Sequence, residues 1–370
     1  MKVTVSSSLF ASHLQMAGKV LAKKNPMTIL DCFLIEVQNG TMSITASNAE
    51  NSIITRMPLI EQNGEGCMCI NAETLLGTMK EIPEQPLILD YNEKSLELRG
   101  KHSSGEFHVV GQNVEAFPPS IPVAQGNKIT IPSKELLPAL AHCLIATVED
   151  EIMPFKRGVF FDVREDSLIM VATDGRKLVK IAMPDVKPGF RGSFILPMKI
   201  AGVLKSVGKK GGSAEVAFDQ QRATINMEET TVYFRLVEAR YPNYNSVIPK
   251  NKTASVSLDR LALIGALKRV GVFCNQSNNF IKFELRDGQA VLTGSDSNFA
   301  TSAEEFLPCD YDGVPFSIGF GYTYFVEILN NIETANVTLE LLAPERPCVC
   351  KPEGTGDDLL MLLMPMKIEE

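Results

Sequence analysis

The chain has 370 residues, of which 45% are hydrophobic and 22% are charged, a composition that fits a globular protein and excludes a disordered chain. The formal net charge of −8 at pH 7 argues against a uniformly basic nucleic-acid-binding protein, although a local basic face could still exist. No apolar run is long enough for a signal peptide or a membrane span, and the eight cysteines fit reduced thiols, so we expect a cytoplasmic protein.

Six segments with helical spacing of apolar residues predict helices, two in each third of the chain. Ser8, Ser133 and Asp259 stand where the first helix of each third should be capped. Pro197 suits a first helical position, and Gly208 suits a left-handed cap just past a helix end. The predicted ranges are 9–21, 72–82, 133–147, 197–207, 259–270 and 322–332.

Short alternating runs between these helices predict antiparallel strands, with a hairpin turn at Asp287-Gly288. The chain also repeats itself: Ala46-Ser47-Asn48, Ala172-Thr173-Asp174 and Gly294-Ser295-Asp296 recur about 125 residues apart. A repeat of this length can bury its own core and is therefore a domain. We predict an α+β fold of three repeated domains, residues 1–124, 125–252 and 253–370.

The titratable residues give no sign of a catalytic, cofactor or metal site. The four histidines and the cysteine pairs lack the spacing of metal ligands, and no nucleophile or phosphate-loop motif occurs. Glu149-Asp150-Glu151 is better explained as a solvated loop, and Asp174 and Asp296 as turn-forming residues. A hydrolase built on duplicated domains and a structural scaffold remain alternatives, but neither has a motif in its favour.

Lysines lie on the predicted helices or directly after them, on faces turned away from the core. Each could be an ordinary solvated side chain, but as a set on equivalent helices they favour one positive surface. Such a surface would hold a phosphate backbone through salt-sensitive contacts that do not read sequence. The predicted DNA-facing residues are Lys24, Lys80, Lys134, Lys199, Lys205 and Lys268.

Two segments carry a more specific signal, and they are supported by Tyr241-Pro242-Asn243-Tyr244 between them. The first is Ala172-Thr173-Asp174-Gly175-Arg176-Lys177-Leu178, and the second is the C-terminal Leu362-Leu363-Met364-Pro365-Met366. Together they closely resemble the bacterial DNA polymerase III beta subunit family, the sliding clamps. The resemblance covers the whole chain and implies clamp domains with two inner helices and outer antiparallel sheets.

The resemblance implies a processivity factor without catalytic activity. Two chains would join head to tail into a ring around duplex DNA and tether the replicative polymerase to it. Lys24 and Lys199 would be among the residues that touch DNA. The dimer interface would comprise Phe107 and Val109 on one side and Val272 and Phe273 on the other, although the sequence alone allows all four in a core.

The resemblance also implies a hydrophobic groove that binds short peptides of the polymerase, the clamp loader and repair proteins. Without it, Met364 and Met366 would be assigned to a core. Ser246 stands where many relatives have arginine. Lys156 falls where an apolar residue is common and is left out of the site. The pair Arg176-Lys177 predicts a more basic rim of the groove and therefore more acidic partner peptides. The groove residues are Thr173, Gly175, Arg176, Leu178, Pro242, Val247, Tyr324, Leu362, Met364, Pro365 and Met366.

Overall fold

The computed structural model describes residues 1–22, 25, 27–48, 50–119, 126–208, 211–311, 313–354 and 358–368. Over these residues, each third of the chain follows one order of elements: a strand, a helix, four strands, a second helix and three strands. The first third inserts one more short strand before its second helix. The repeat in the sequence is therefore a repeat of structure, and the predicted α+β class is confirmed.

The elements of the first third are β1 (Lys2–Ser6), α1 (Ser7–Gly18), β2 (Cys32–Gln38), β3 (Thr41–Ser47), β4 (Ser52–Pro58), β5 (Glu61–Asn63), β6 (Gly66–Asn71), α2 (Ala72–Glu81), β7 (Pro86–Asn92), β8 (Glu97–His102) and β9 (Gly105–Val110). Those of the middle third are β10 (Asn127–Pro132), α3 (Ser133–Leu144), β11 (Gly158–Val163), β12 (Leu168–Thr173), β13 (Lys177–Met183), β14 (Gly192–Pro197), α4 (Met198–Val207), β15 (Ser213–Phe218), β16 (Arg222–Met227) and β17 (Thr230–Arg235). Those of the last third are β18 (Ala254–Asp259), α5 (Arg260–Gly271), β19 (Phe280–Arg286), β20 (Gln289–Asp296), β21 (Thr301–Pro308), β22 (Phe316–Gly321), α6 (Tyr322–Asn330), β23 (Asn336–Leu341), β24 (Cys348–Pro352) and β25 (Leu359–Leu363).

The chain forms two compact units, and each contains two antiparallel sheets. The first unit, residues 1–137 and 202–236, has a five-stranded sheet β5-β1-β7-β8-β9 and an eight-stranded sheet β10-β15-β16-β17-β4-β3-β2-β6. The second unit, residues 138–201 and 237–370, has an eight-stranded sheet β14-β11-β12-β13-β25-β24-β23-β18 and a four-stranded sheet β21-β20-β19-β22. Strands β9 and β21 stand at the ends of their sheets, so each has one backbone edge without a partner strand among the described residues.

Both eight-stranded sheets join strands from two different thirds. In the first unit, β17 pairs with β4 in the register Thr230↔Thr55 to Tyr233↔Ser52. In the second, β13 pairs with β25 in the register Lys177↔Leu363 to Ile181↔Leu359. The middle third therefore shares backbone hydrogen bonds with each of its neighbours in sequence.

The recurring tripeptides mark equivalent turns after β3, β12 and β20. Asn48, Asp174 and Asp296 each accept hydrogen bonds, at 2.7–3.2 Å, from backbone N–H groups two or three residues further on. Such side-chain oxygens accept hydrogen bonds from backbone N–H groups that have no backbone partner within the turn, which explains why this position repeats. The prediction that Asp174 and Asp296 form turns is confirmed, as is the Asp287-Gly288 hairpin between β19 and β20.

The predicted helix ends need four corrections. Pro197, predicted at a first helical position, is the last residue of β14, and α4 begins at Met198. Ser6, and not Ser8, caps α1 by accepting from the Leu9 N–H, whereas Asp259 caps α5 as predicted. Ser133 is the first residue of α3 itself. Gly208 does not adopt a left-handed conformation; a Cβ there would lie 2.5 Å from Leu137 Cδ2, so close packing explains this glycine.

Candidate functional site

The segment 173–178 forms a tight turn that its own side chains organise. Thr173 Oγ1 accepts from the Gly175 N–H at 3.1 Å and donates to the Lys177 carbonyl oxygen at 2.8 Å. Gly175 has a φ of +88°, a conformation that side chains with a Cβ disfavour. Because these bonds fix the backbone, Arg176 is held exposed at the tip of the turn.

The C-terminal segment crosses from this turn to the last domain's sheet. The Met364 N–H donates to the Arg176 carbonyl at 2.9 Å, and the Met366 N–H donates to the Gly319 carbonyl at 2.8 Å. Met364, Pro365 and Met366 are half-buried, so the assignment of both methionines to a closed core is wrong. Backbone bonds at both ends make this segment a fixed, partly exposed apolar wall.

Leu178 and Leu362 are buried and lie opposite each other on strands β13 and β25. Both belong to a buried hydrophobic cluster with Ile169, Val171 and Tyr244, and the side chain of Leu362 is fully buried. Both are therefore core residues that adjoin the turn and the C-terminal segment in sequence, and they are not exposed.

The segment 241–248 borders the same cluster and is anchored by two tyrosines. Tyr241 stacks on Phe160 with ring centroids 4.3 Å apart, and the buried Tyr244 hydroxyl donates to Asp162 Oδ2 at 2.7 Å. Burial, together with this hydrogen bond, raises the pKa of Tyr244 to about 12. Because the tyrosines hold this segment, Pro242 and Val247 stay exposed, the latter at 43%.

Tyr324 lies on α6, where its ring faces a buried ammonium group. Lys177 Nζ is 5.0 Å from the ring centroid and 3.3 Å from Asp174 Oδ2, and it also pairs with Glu327. Only 4% of the Lys177 side chain is exposed. The prediction that Lys177 adds free positive charge to the rim is therefore wrong, and Arg176 alone supplies the exposed cation of this pair.

The structure brings Lys156 to the turn although the sequence analysis left it out of the site. A Cβ at Gly175 would lie 3.4 Å from Lys156 Nζ, which itself pairs with Asp150 Oδ2 at 3.1 Å. Backbone hydrogen bonds from 152–153, with a further contribution from Lys156, lower the pKa of Asp150. Ser246 is exposed and donates its hydroxyl to the Asn243 carbonyl at 2.7 Å, so it makes a local turn contact.

Sequence reasoning missed three residues of this region: Tyr244 as an anchor, Lys156 as a neighbour of the turn and Glu327 as a partner of Lys177. Tyr244 stands in the quoted Tyr-Pro-Asn-Tyr segment, so a search for buried aromatic anchors could have found it. Glu327 is 150 residues from Lys177, and no local pattern connects the two.

The four residues predicted at a dimer interface lie on two exposed regions. Phe107 and Val109 are half-buried on the edge strand β9, and the Phe107 ring covers Gly100 on β8. Val272 is 72% exposed and Phe273 is 40% exposed, directly after α5. Since none of the four is enclosed within the chain, the alternative that they form an internal core is wrong.

The predicted DNA-facing lysines of the described residues are all exposed on helices. Lys80 lies on α2, Lys134 on α3, Lys199 and Lys205 on α4, and Lys268 on α5. Lys199 pairs with Glu149 Oε1 at 3.2 Å. Lys24 lies outside the described residues.

The described part of the chain contains neither a metal-binding cluster nor a membrane-spanning helix. No group of three or more His, Cys, Asp and Glu side chains there could hold a metal ion. No helix in the same ranges has the length and apolar character needed to span a membrane. All eight cysteines are free, and six of them are buried, as small apolar side chains would be.

Comparisons with known proteins agree over the whole chain. Family models for the N-terminal, central and C-terminal domains of the DNA polymerase III beta subunit match residues 1–122, 130–243 and 245–367. The beta sliding clamps of Treponema pallidum and Pseudomonas putida are both 24% identical to the chain, with 100% of each protein covered.

Solved structures agree with the fold. A DnaN sliding clamp from Pseudomonas aeruginosa bound to griselimycin superposes with a TM-score of 0.94 at 22% identity, and 100% of both chains is covered. The DNA polymerase III beta subunit from Thermotoga maritima gives 0.91 at 24% identity, again over 100% of both chains. The chain therefore belongs to the DNA polymerase III beta subunit family, the beta sliding clamps, which are non-catalytic processivity factors of DNA polymerase III.

Proposed function

We propose that the chain captures partner proteins through a groove bounded by the 173–178 turn, the 241–248 segment, Tyr324 and residues 364–366. The observation that carries this proposal is the half-buried C-terminal wall, which backbone hydrogen bonds fix at Met364 and Met366. Apolar side chains are usually buried in the core of their own chain. A fixed, partly exposed apolar wall, in the same compact unit as the exposed Val247, fits a site for another chain.

The occupant we infer is a short peptide with hydrophobic ends, supplied by the replicative polymerase, the clamp loader or repair proteins. Methionine suits a site that serves several partners, since its flexible, polarizable side chain repacks around different ligands. Arg176 at the rim would guide a carboxylate of the peptide.

A labelled-peptide experiment tests the groove. We expect a fluorescein-labelled octapeptide ending in Leu-Phe to bind the wild type, and Met364→Glu to weaken it by at least about tenfold, because fully burying one methionine contributes roughly 1.5–3 kcal/mol. Met27→Glu is the matched control, since Met27 is 45% exposed and lies outside the groove. Equal loss in both variants would contradict the proposal.

We also propose that two copies close a ring around duplex DNA by joining the β9 edge of one copy to the β21 edge of the other. Unpaired strand edges favour pairing with another chain, and a head-to-tail interface can close after two copies. Phe107, Val109, Val272 and Phe273 would be covered there. Size-exclusion chromatography with light scattering should give twice 40.6 kDa, and Phe107→Glu should give the monomer mass. A monomeric wild type would end this proposal.

The exposed lysines would hold the phosphate backbone weakly enough for sliding. We expect the protein, once loaded, to stay on nicked circular DNA and to leave when the DNA is linearised. Lys199→Glu should shorten retention, whereas Lys94→Glu, an exposed lysine on the β7–β8 turn, should not. Unchanged retention in Lys199→Glu would contradict the assignment of that lysine. This function places the protein in the bacterial cytoplasm, with the DNA.

A further inference from the structure

The charged cluster around the buried Lys177 side chain connects two elements that border the groove. The Lys177 ammonium pairs with Asp174 of the turn, at 3.3 Å, and with Glu327 of α6. Removing a charged group from water is unfavourable unless partners compensate it, and here two carboxylates face one ammonium. The cluster therefore ties the 173–178 turn to α6.

Asp174 acts in both parts of this connection. Its Oδ1 accepts the backbone N–H groups of Arg176 and Lys177, both at 2.7 Å, and its Oδ2 faces the Lys177 ammonium. One carboxylate thus folds the turn and fixes the lysine side chain. The position of the Lys177 ammonium is therefore fixed relative to the backbone of the turn.

The ring of Tyr324 lies close to the same ammonium. It lies one helical turn before Glu327 on α6, so the two side chains share a helix face. The ammonium is 5.0 Å from the tyrosine ring centroid, within the range of a cation–π contact, which strengthens when the cation is shielded from water. Lys177 thus holds Glu327 and the aromatic ring together.

We propose that Lys177 is a positioning residue of the groove: it holds Tyr324 in the orientation that receives a partner peptide, without contacting the peptide itself. The proposal rests on the proposed function, in which this groove binds peptides. A preformed site binds more tightly because less order has to be created on binding. If Lys177 is replaced, only a fraction of the molecules should hold Tyr324 in the binding orientation. The apparent affinity for the peptide should then equal the intrinsic affinity multiplied by that fraction.

The experiment measures association and dissociation rates of the octapeptide ending in Leu-Phe by stopped-flow fluorescence. We expect Lys177→Met to weaken binding by about tenfold, mainly through slower association, because the bound state keeps its contacts. Lys177→Arg, which keeps the charge, should recover most of the affinity. Lys187→Met, an exposed lysine outside the groove, should behave as the wild type. A faster dissociation rate with unchanged association would assign Lys177 to direct peptide contact and overturn the proposal.

A double-mutant cycle separates positioning from general destabilisation. In a Tyr324→Ala background, Lys177→Met should cause little further loss, because the residue acts through the ring that is already absent. Independent, additive losses would overturn the proposal. Glu327→Gln repeats the test with a milder change at a side chain that is 51% exposed, should Lys177→Met fail to fold. If the wild type does not bind the peptide at all, the proposed function fails; if Tyr324→Ala weakens binding and neither cluster variant does, only the positioning role fails.

Discussion

Replacing Tyr244 with phenylalanine removes one hydroxyl from the anchor of the 241–248 segment. That hydroxyl donates to Asp162 Oδ2 at 2.7 Å and accepts from Arg164 Nη2 at 3.0 Å. Hydrogen bonds to charged groups contribute about 1.5–3 kcal/mol each. The pair of Arg164 and Asp162, 2.9 Å apart in the wild type, does not need the hydroxyl, so we expect a loss of about 1.5 kcal/mol, the low end of that range.

Guanidinium unfolding followed by circular dichroism would measure this loss. Tyr233→Phe is the control, since Tyr233 is half-buried on β17 and its hydroxyl has no hydrogen-bond partner among the described residues. Most surface changes of that kind alter stability by less than about 0.5 kcal/mol. Equal losses in the two variants would refute the anchoring role of the Tyr244 hydroxyl.

The raised pKa of Tyr244 also makes the free energy of unfolding depend on pH, with a definite sign. An unfolded tyrosine has a pKa of about 10, and the folded Tyr244 has a pKa of about 12. Because the folded pKa is the higher one, the stabilisation is fully present below about pH 10 and is lost as the pH rises through the folded value. The stability gap between wild type and Tyr244→Phe should therefore narrow above about pH 10; a gap that widens there would contradict the burial argument.

Three further predictions concern the edge strand and the turn. Gly100→Ala places a Cβ 2.1 Å from Phe107 Cζ and should weaken the proposed dimer, which light scattering at low concentration would measure. Gly77→Ala, whose Cβ would have no atom within 4 Å, should leave the dimer unchanged. Gly175→Ala forces a left-handed backbone on a residue that resists it, so we expect about 1 kcal/mol lower unfolding free energy and weaker peptide binding. An acidic residue in the peptide should improve affinity for the wild type and not for Arg176→Ala; equal gains in both would exclude Arg176 as its partner.

Helix caps and turns could be predicted from the sequence where a single side chain determines them. Asp259 could be recognised as a cap because its short carboxylate precedes an amphipathic run. The repeated turn residues were recognisable for the same reason. The cap of α1 was missed because Ser6, Ser7 and Ser8 are equally able to cap, and the choice depends on Glu84, which accepts from the Ser8 N–H at 2.9 Å.

The groove was only partly readable because several of its contacts join residues far apart in the chain. The half-buried state of Met364 follows from a backbone bond to Arg176, in a turn of another repeat. Lys177 looked like a rim charge because nothing near it in sequence indicates that Glu327 will neutralise it. Gly208 was taken for a left-handed cap, whereas its small size is required by Leu137 on another helix.

The ladders between β17 and β4 and between β13 and β25 have a consequence for anyone who dissects this protein. If the middle third were expressed by itself, β13 and β17 would each lose a neighbouring strand, and the backbone N–H and C=O groups along those two edges would be unpaired. Unpaired strand edges of this kind promote self-association, so the isolated fragment should precipitate or form fibrils. Cutting the chain between repeats should likewise leave the pieces bound to one another until a denaturant separates them.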